Sequence, residues 1–350
     1  MPGWAGRESA KSVASLQPRF GPETIAFPEC LPRCHAERTR ISSGNRSTGV
    51  TAEDRGPRIL WAVSLYVLSG PGGAGDPGEL IAPTMVGAFD GWVDAGHAAT
   101  TALAQLAEGA PVVATFDADA LFDYRARRPT LQIVDGRLAE LTWPELQVRH
   151  VRVAESDLLV LAGPEPDDRW QAFGAAVVEI AHRLGVVEWI SLGAIPAAVP
   201  HTRSVPILGT TSEPGRLRGN VQPGPAGLLR VPAAAVSVLE MGMAKGGIPA
   251  VGYFAQVPHY ISGPYPAASV ELLGALGRHL GVELPNGDLE DEARQLRSRL
   301  DTATALEETT RDYVERLEGM VDEQRLPSGD DLIGEIERFL REGGTEGLPN

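Results

Sequence analysis

The sequence predicts an α/β protein in three layers: a mostly parallel sheet covered by helices, followed by a C-terminal helical hairpin. Three observations carry this. Between residues 58 and 285, short apolar runs alternate with stretches whose apolar residues recur at three- and four-residue spacing, and that alternation favours a helix-covered parallel sheet. A chain of 350 residues with 43% hydrophobic content can bury a sizeable core. From Asp288 to Gln324, Gly and Pro nearly vanish and charge dominates, as in exposed helices.

Taken in order, strand-like runs occupy Leu60–Leu68, Pro83–Phe89, Pro111–Phe116, Leu131–Val134, Val148–Val153, Leu158–Ala162, Val186–Leu192, Val205–Thr210 and Ile248–Ala255. A helix over 95–108 is rich in Ala, Thr and Gly and suits close packing on a sheet. Another places Trp170, Phe173, Val177, Ile180 and Leu184 on one face, and a third runs from Pro266 to Leu280 with Leu272, Leu273, Leu276 and Leu280. In the acidic tail, Leu289, Leu296 and Leu300, then Leu306, Tyr313, Leu317 and Met320, keep helical register. Leu326-Pro327-Ser328-Gly329-Asp330-Asp331 breaks it, with Ser328 and Asp331 at capping-box spacing before a stripe of Leu332, Ile333, Ile336, Phe339 and Leu340. The tail reads as helices (286–345) packed on the α/β domain (58–285), with an intermolecular coiled coil as the alternative.

Residues 1–57 show neither helical nor alternating periodicity, and so bury too little apolar area to offset their ordering entropy. They are expected to be a disordered extension, and a mistaken start codon would produce one. The charge is uneven: residues 1–58 carry nine Lys/Arg against six Asp/Glu, and residues 286–350 carry eight against eighteen. A body this acidic argues against nucleic acid and anionic membranes as partners. No run approaches the ~18–20 apolar residues that span a bilayer. Cys30 and Cys34 both lie in the extension, so a disulfide framework is absent, and no metal site is expected because Cys30, Cys34 and His35 have poor ligand spacing. A cytoplasmic location is expected.

Four strand-like runs end in loops rich in acids, His and Trp: Asp90-Gly91-Trp92-Val93-Asp94-Ala95-Gly96-His97, Glu165-Pro166-Asp167-Asp168-Arg169-Trp170, Pro200-His201-Thr202-Arg203 and Val257-Pro258-His259-Tyr260. In parallel sheets ligands and partners meet the carboxyl ends of the strands. The candidate edge therefore comprises Asp90, Trp92, Asp94, His97, Glu165, Asp168, Arg169, Trp170, His201, Arg203, His259 and Tyr260. Each group also admits a structural role. Asp94 is placed to N-cap the helix beginning at Ala95, with neutral His97 in its first turn and Trp92 covering the turn, or the same turn is an anion or carbonyl site. Glu165 and Asp168 either serve acid–base chemistry or simply precede a helix. Arg203 either bridges to Glu165 or Asp168 across the edge or binds an anion. His259 and Tyr260 either donate to a ligand or pack together.

Three tempting motifs fail. Gly70-Pro71-Gly72-Gly73-Ala74-Gly75 has dinucleotide-loop spacing, but Asp76-Pro77-Gly78 cannot start the required helix, so a connector is expected. Lys11 and Lys245 are the only lysines and neither follows a P-loop pattern, and no Ser sits in a Gly-x-Ser-x-Gly elbow.

Together the four loop motifs, with Leu326-Pro327-Ser328-Gly329-Asp330-Asp331 and Glu337-Arg338-Phe339-Leu340, resemble the proteasome assembly chaperone-2-like family, in its actinobacterial branch, over about residues 60–342. The resemblance implies a phosphorylase-like α/β/α body that associates with itself or a sister chain. It also implies a role in building or engaging proteasome α-rings. Several members dock through a C-terminal hydrophobic–Tyr–any tripeptide, whereas this chain ends Gly347-Leu348-Pro349-Asn350. A link to ATP-grasp ligases finds no support, because Lys245 is the only lysine after the extension. The expectation is a non-catalytic, cofactor-free, homo-oligomeric chaperone-like protein, possible partners being proteasome α-subunits. The alternatives are a binder of, or enzyme acting on, a nucleoside, phosphate or carboxylate at the loop edge, and a scaffold acting through the acidic tail.

Overall fold

The computed structural model describes residues 64–69, 77–219, 221–224 and 227–325. The N-terminal extension with Cys30 and Cys34, the Gly70–Gly75 connector, the break at 326–331 and the last predicted helix lie outside the described residues. Eleven strands are β1 (Tyr66–Leu68), β2 (Thr84–Phe89), β3 (Val112–Phe116), β4 (Thr130–Val134), β5 (Arg137–Thr142), β6 (Gln147–Val153), β7 (Ser156–Gly163), β8 (Glu188–Ala197), β9 (Ile207–Thr211), β10 (Gln222–Pro223) and β11 (Ala250–Pro258). Seven described helices are α1 (Ala98–Leu106), α2 (Ala118–Leu121), α3 (Trp170–Arg183), α4 (Ala235–Lys245), α5 (Pro266–Leu280), α6 (Leu289–Leu306) and α7 (Glu308–Arg325).

Nine strands form one sheet in the order β1-β3-β6-β7-β2-β8-β11-β9-β10. Its centre, β7-β2-β8-β11, is parallel, as the strand–helix alternation predicts. Antiparallel pairs flank it, β3 with β6 and β6 with β7 on one side and β9 with β11 on the other. Of these pairs only β6 and β7 are joined by a tight turn; β3 reaches β6 through residues 117–146, and β9 reaches β11 through a segment that contains α4. Side chains alternate across the central strands and feed two cores. Met85 and Phe89 of β2, Leu159 and Leu161 of β7 and Trp189 of β8 face α3 and α4. Val86, Ala88, Leu158, Val160, Ile190 and Leu192 face α1 and α5. Helices on both faces complete the three layers.

Trp189 shows why the sequence must fit locally. It is fully buried, its Nε1–H donates to Ser191 Oγ at 2.7 Å, and its ring occupies the space that a Cβ at Gly87 would enter at 2.3 Å. Truncating such a side chain to alanine costs about 3–5 kcal/mol. Helix α5 spans the predicted residues, with Pro266 in its first turn and left-handed Gly281 closing it. In α3, Phe173, Val177 and Ile180 are buried while Trp170 and Leu184 pack at the margin. In the tail Leu289, Val314 and Leu317 are buried, and Leu296 and Leu300 pack against the second core, whereas Leu306 is 84% exposed.

The hairpin β4–β5 stands apart as a two-stranded sheet, every residue of both strands exposed. Asp135 and Gly136 at its tip both have positive φ, which turns the chain in two residues. Leu131 pairs with Leu141 and Ile133 with Leu138, so one face is apolar, while Gln132 pairs with Glu140 on the other.

Candidate functional site

Phe89 pairs with Gly163, and Pro258 with Ala197, across the parallel strands. The carboxyl ends of β2, β7, β8 and β11 therefore lie along one edge, and the four loops leave from it. Strand β3 also ends there, because it is antiparallel to β6, which is antiparallel to β7. The segment 117–146, carrying the hairpin β4–β5, thus projects from the same edge. Along that edge the loops form two polar clusters.

The first cluster joins the β2 and β7 loops to the 117–146 insertion. Arg127 donates to both oxygens of Asp90, at 2.8 and 3.2 Å, and Asp90 Oδ1 also accepts from Glu165 N–H at 2.9 Å. Glu165 Oε1 accepts from Ala235 N–H at 2.6 Å, so its carboxylate sits on the N-terminus of α4. Burial raises the Glu165 pKa, and the Ala235 bond opposes that rise. Any anion site at this helix end is already filled by the chain itself. Asp167 and Asp168 donate backbone N–H groups to Leu121 O, at 2.9 and 3.1 Å, and the Asp168 side chain is exposed. Arg169 is exposed in a left-handed conformation before α3, and Trp170 opens that helix with its indole N–H on Pro166 O.

Asp94 caps α1, but three residues later than expected. A 3-10 turn occupies Ala95–His97, and Asp94 Oδ1 accepts from Ala99 N–H at 2.8 Å and from Thr100 N–H at 3.3 Å, with the Thr100 hydroxyl on Oδ2. Burial raises the Asp94 pKa, and these donors limit the rise. His97 is not in the first turn. It lies at the left-handed junction before Ala98 with its side chain 63% exposed, because Gly96, also at positive φ, turns the chain where Tyr265 packs. A Cβ at Gly96 would come within 2.7 Å of Tyr265 Cβ, and Tyr265 N–H donates to Gly96 O. Nor does Trp92 cover the cap; it is 61% exposed.

The second cluster joins the β8 and β11 loops to the acidic tail. Arg203 does not reach Glu165 or Asp168. Its Nε and Nη2 hold Asp322 at 3.1 and 2.8 Å, and Nη1 holds Glu318 at 3.2 Å, so its charge is spent on α7. The Thr202 hydroxyl donates to the same Glu318, and Arg297 of α6 donates to His201 O at 2.8 Å. His259 lies with Nδ1 on Ala197 O and Nε2 against the Tyr313 hydroxyl of α7. His201 is buried. Its backbone N–H donates to the Tyr260 hydroxyl at 2.8 Å, which turns the Tyr260 proton toward His201 Nδ1 at 2.7 Å. That assigns the proton of the neutral ring to Nε2. Asp301 Oδ1 lies 3.3 Å from Nε2, but out of line, and Nε2 has no hydrogen-bond partner. Burial, then Arg297, lowers the His201 pKa, which keeps the ring neutral.

A cavity of about 950 Å³ opens beside this second cluster, lined by His201, Arg203, Val205, Tyr265, Arg297 and Leu300 among others. Of the twelve residues expected at the edge, only His201 and Arg203 line it. The partners that organise both clusters, Arg127, Ala235, Arg297, Asp301, Tyr313 and Glu318, carried no local signal. Arg127 lies in a loop of the insertion and the others in helices remote in sequence. Among the described residues no group of three His, Cys, Asp or Glu side chains is arranged to hold a metal, and no helix is long and apolar enough to cross a membrane.

The sequence profile of the PAC2 family matches residues 88–304, well over half of the chain. The chain belongs to the PAC2 family. The matched span holds all four loops and most of α6, whereas α7 lies beyond it. Among the solved structures similar to this PAC2 chain is a PAC2 family protein from Streptomyces avermitilis, at 36% identity over 66% of this chain and 99% of that one, with a TM-score of 0.59. Another is the proteasome-assembly chaperone homologue Rv2125 of Mycobacterium tuberculosis, at 33% identity over 66% and 99%, TM-score 0.60. The M. tuberculosis protein of unknown function Rv2714 is 31% identical over 79% and 93%, TM-score 0.67. No curated protein matches the chain.

Proposed function

We propose that this PAC2 family chain is a non-catalytic docking protein of the proteasome-assembly-chaperone type, associating with itself and engaging proteasome α-subunits or a similar ring. The observation that carries the reading is a contrast along the carboxyl edge. Its polar groups are largely consumed by one another: Arg127 by Asp90, Glu165 by the α4 N-terminus, Arg203 by Glu318 and Asp322. Beside the exposed His97, Asp168 and Arg169 it offers to solvent a set of large apolar side chains, namely Trp92, the hairpin residues Leu131, Ile133 and Leu138, and Trp143 just after the hairpin. Exposed aromatic and aliphatic side chains on a projecting element fit protein docking better than acid–base chemistry. A lone two-stranded hairpin is marginal in water, which favours burial of its apolar face against a second copy. The likeness to a mycobacterial proteasome-assembly chaperone homologue supports a ring as the further partner.

Sedimentation of the purified chain, alone and with α-subunits of the source organism, tests this. The expected result is an oligomer that Leu138→Asp converts to monomer, and co-sedimentation with α-subunits that Trp92→Ala weakens. A monomeric wild type that leaves the α-subunits unaltered would overturn it. One observation favours ligand binding instead: the unpartnered His201 Nε2–H beside the large cavity. A thermal-shift screen of nucleosides, phosphates and carboxylates separates the two, since a ligand at 100 times its Kd adds about 2.7 kcal/mol.

A further inference from the structure

Every other half-buried or buried carboxylate described so far is matched by positive charge or by a helix N-terminus. Asp94 caps α1, Glu165 sits on α4, and two more occupy the opposite end of the sheet. There Asp157 meets His150 and Arg152, and Glu188 meets His279 and Arg216. Glu240, on the face of α4 that packs over β8, β9 and β11, differs. Its Oε1 accepts from the Thr210 hydroxyl at 2.8 Å, and the Ser191 hydroxyl is close enough to favour its ionised form. Ser191 is itself fully buried and held by Trp189 Nε1–H. Among the described residues no Lys, Arg or His lies within ion-pair distance of Glu240.

The carboxylate lines a cavity of about 430 Å³ together with Thr210, Ser237, Met241, Lys245 and Phe254. Gly252 keeps that space open, since a Cβ there would meet Thr210 Oγ1 at 2.4 Å, the Phe254 ring at 2.6 Å and Glu240 Oε2 at 3.0 Å. The walls are an aromatic ring and a thioether, and Met241 is 62% exposed at the rim. A desolvated carboxylate held by neutral donors leaves charge uncompensated, which an entering cation would relieve. An aromatic wall adds cation–π attraction and suits an organic cation with an apolar stem better than a metal ion.

We propose that this cavity binds an ammonium or guanidinium group, which pairs with Glu240 while its aliphatic stem lies between Phe254 and Met241. Lys245 is the only other ionisable side chain lining the cavity. The same chemistry comes from two sources, a free alkylamine or a Lys or Arg side chain of a partner protein. The proposal is independent of the docking reading, because Glu240 lies in the middle of α4 beside Thr210 and Gly252, toward the amino end of β11 and away from the carboxyl edge. Burial raises the Glu240 pKa, with Thr210 and Ser191 opposing, so cation affinity rises with pH as the carboxyl ionises, and binding releases protons.

Titration calorimetry with butylammonium, butylguanidinium and acetyl-arginine methylamide, and with neutral butanol as control, tests this on the full chain. Saturable binding of the cations but not butanol is expected, weakened at least about tenfold by Glu240→Gln. Tighter binding of the arginine amide identifies a partner side chain as the source, and tighter binding of the simple amine identifies a free ligand. Met241→Ala, at an exposed position, weakens binding without threatening the fold and replaces Glu240→Gln should that variant misfold. Absence of saturable binding up to about 10 mM, or equal affinity in Glu240→Gln and Met241→Ala, would overturn the proposal.

Discussion

Asp157 is the second residue of β7, and its side chain is wholly inaccessible to solvent. It accepts from Ile81 N–H at 2.9 Å, from His150 Nε2 at 2.9 Å and from Arg152 Nη1 at 3.2 Å, pinning the segment before β2 to the β6–β7 pair. Replacing it with alanine leaves a part-buried N–H and a mostly buried imidazole without this acceptor. Breaking a buried charge pair costs about 3–5 kcal/mol; Arg152 is 47% exposed and can turn to water, which points to the low end, about 3 kcal/mol. At ~2–4 °C per kcal/mol for a domain of this size, the melting temperature falls by roughly 6–12 °C. The pH dependence supplies an independent check. Burial alone would raise the Asp157 pKa, but Ile81 N–H, His150 and Arg152 outweigh it and hold the carboxyl below its ordinary value. A carboxyl depressed on folding stabilises the native state above its unfolded pKa, about 3.9, and that contribution is lost as pH falls through the folded value. Urea unfolding at several pH values should therefore show the wild type and Asp157→Ala converging in acid. A variant within 0.5 kcal/mol of wild type at pH 7, or a gap that persists unchanged in strong acid, would refute the reasoning.

Two other perturbations act on the second cluster. Arg203→Ala strips Glu318 and Asp322 of their shared cation, and hydrogen exchange of the α7 amides should quicken several-fold, with high salt narrowing the difference; unchanged α7 protection would show that the clamp contributes nothing. His201 is buried neutral with a lowered pKa, so its contribution is complete above its unfolded pKa, about 6.5, and declines as pH falls below that value. His201→Gln should flatten the change in urea midpoint between about pH 7 and 5.5, and a slope identical to wild type would remove His201 from the account.

Much of the frame can be read from the chain because its signals are local. Pro266 and Gly281 bracket α5, and the buried positions of α3 follow their three- and four-residue spacing. The runs ending at Phe89, Ala162, Leu192 and Ala255 share an edge only if they lie parallel, an arrangement that the alternation of strands and helices favours and the pairing of β7, β2, β8 and β11 supplies. Strand β8 continues past Leu192 to Ala197 because β11 pairs with it that far, which no local signal encodes. Strand β5 and helix α4 were not anticipated. Asp135-Gly136 between two alternating segments is a hairpin signal that would have supplied β5, whereas α4 starts after Ala234 with no capping side chain, and Val238 and Met241 blur its inward stripe of Val236, Leu239 and Met243. Ion-pair choice is the least legible layer. Arg203 meets Asp322, 119 residues away, instead of Glu165 or Asp168, because the tail helices come between. Glu165 finds the N-terminus of a helix that begins 70 residues later.

Hydrogen exchange of this chain with and without proteasome α-subunits tests the docking proposal most directly. The account predicts slowed exchange in the α-subunit complex around Trp92 and along the 117–146 insertion, with the cavity beside His201 unchanged. Protection confined to that cavity, or none anywhere on the carboxyl edge, would contradict it.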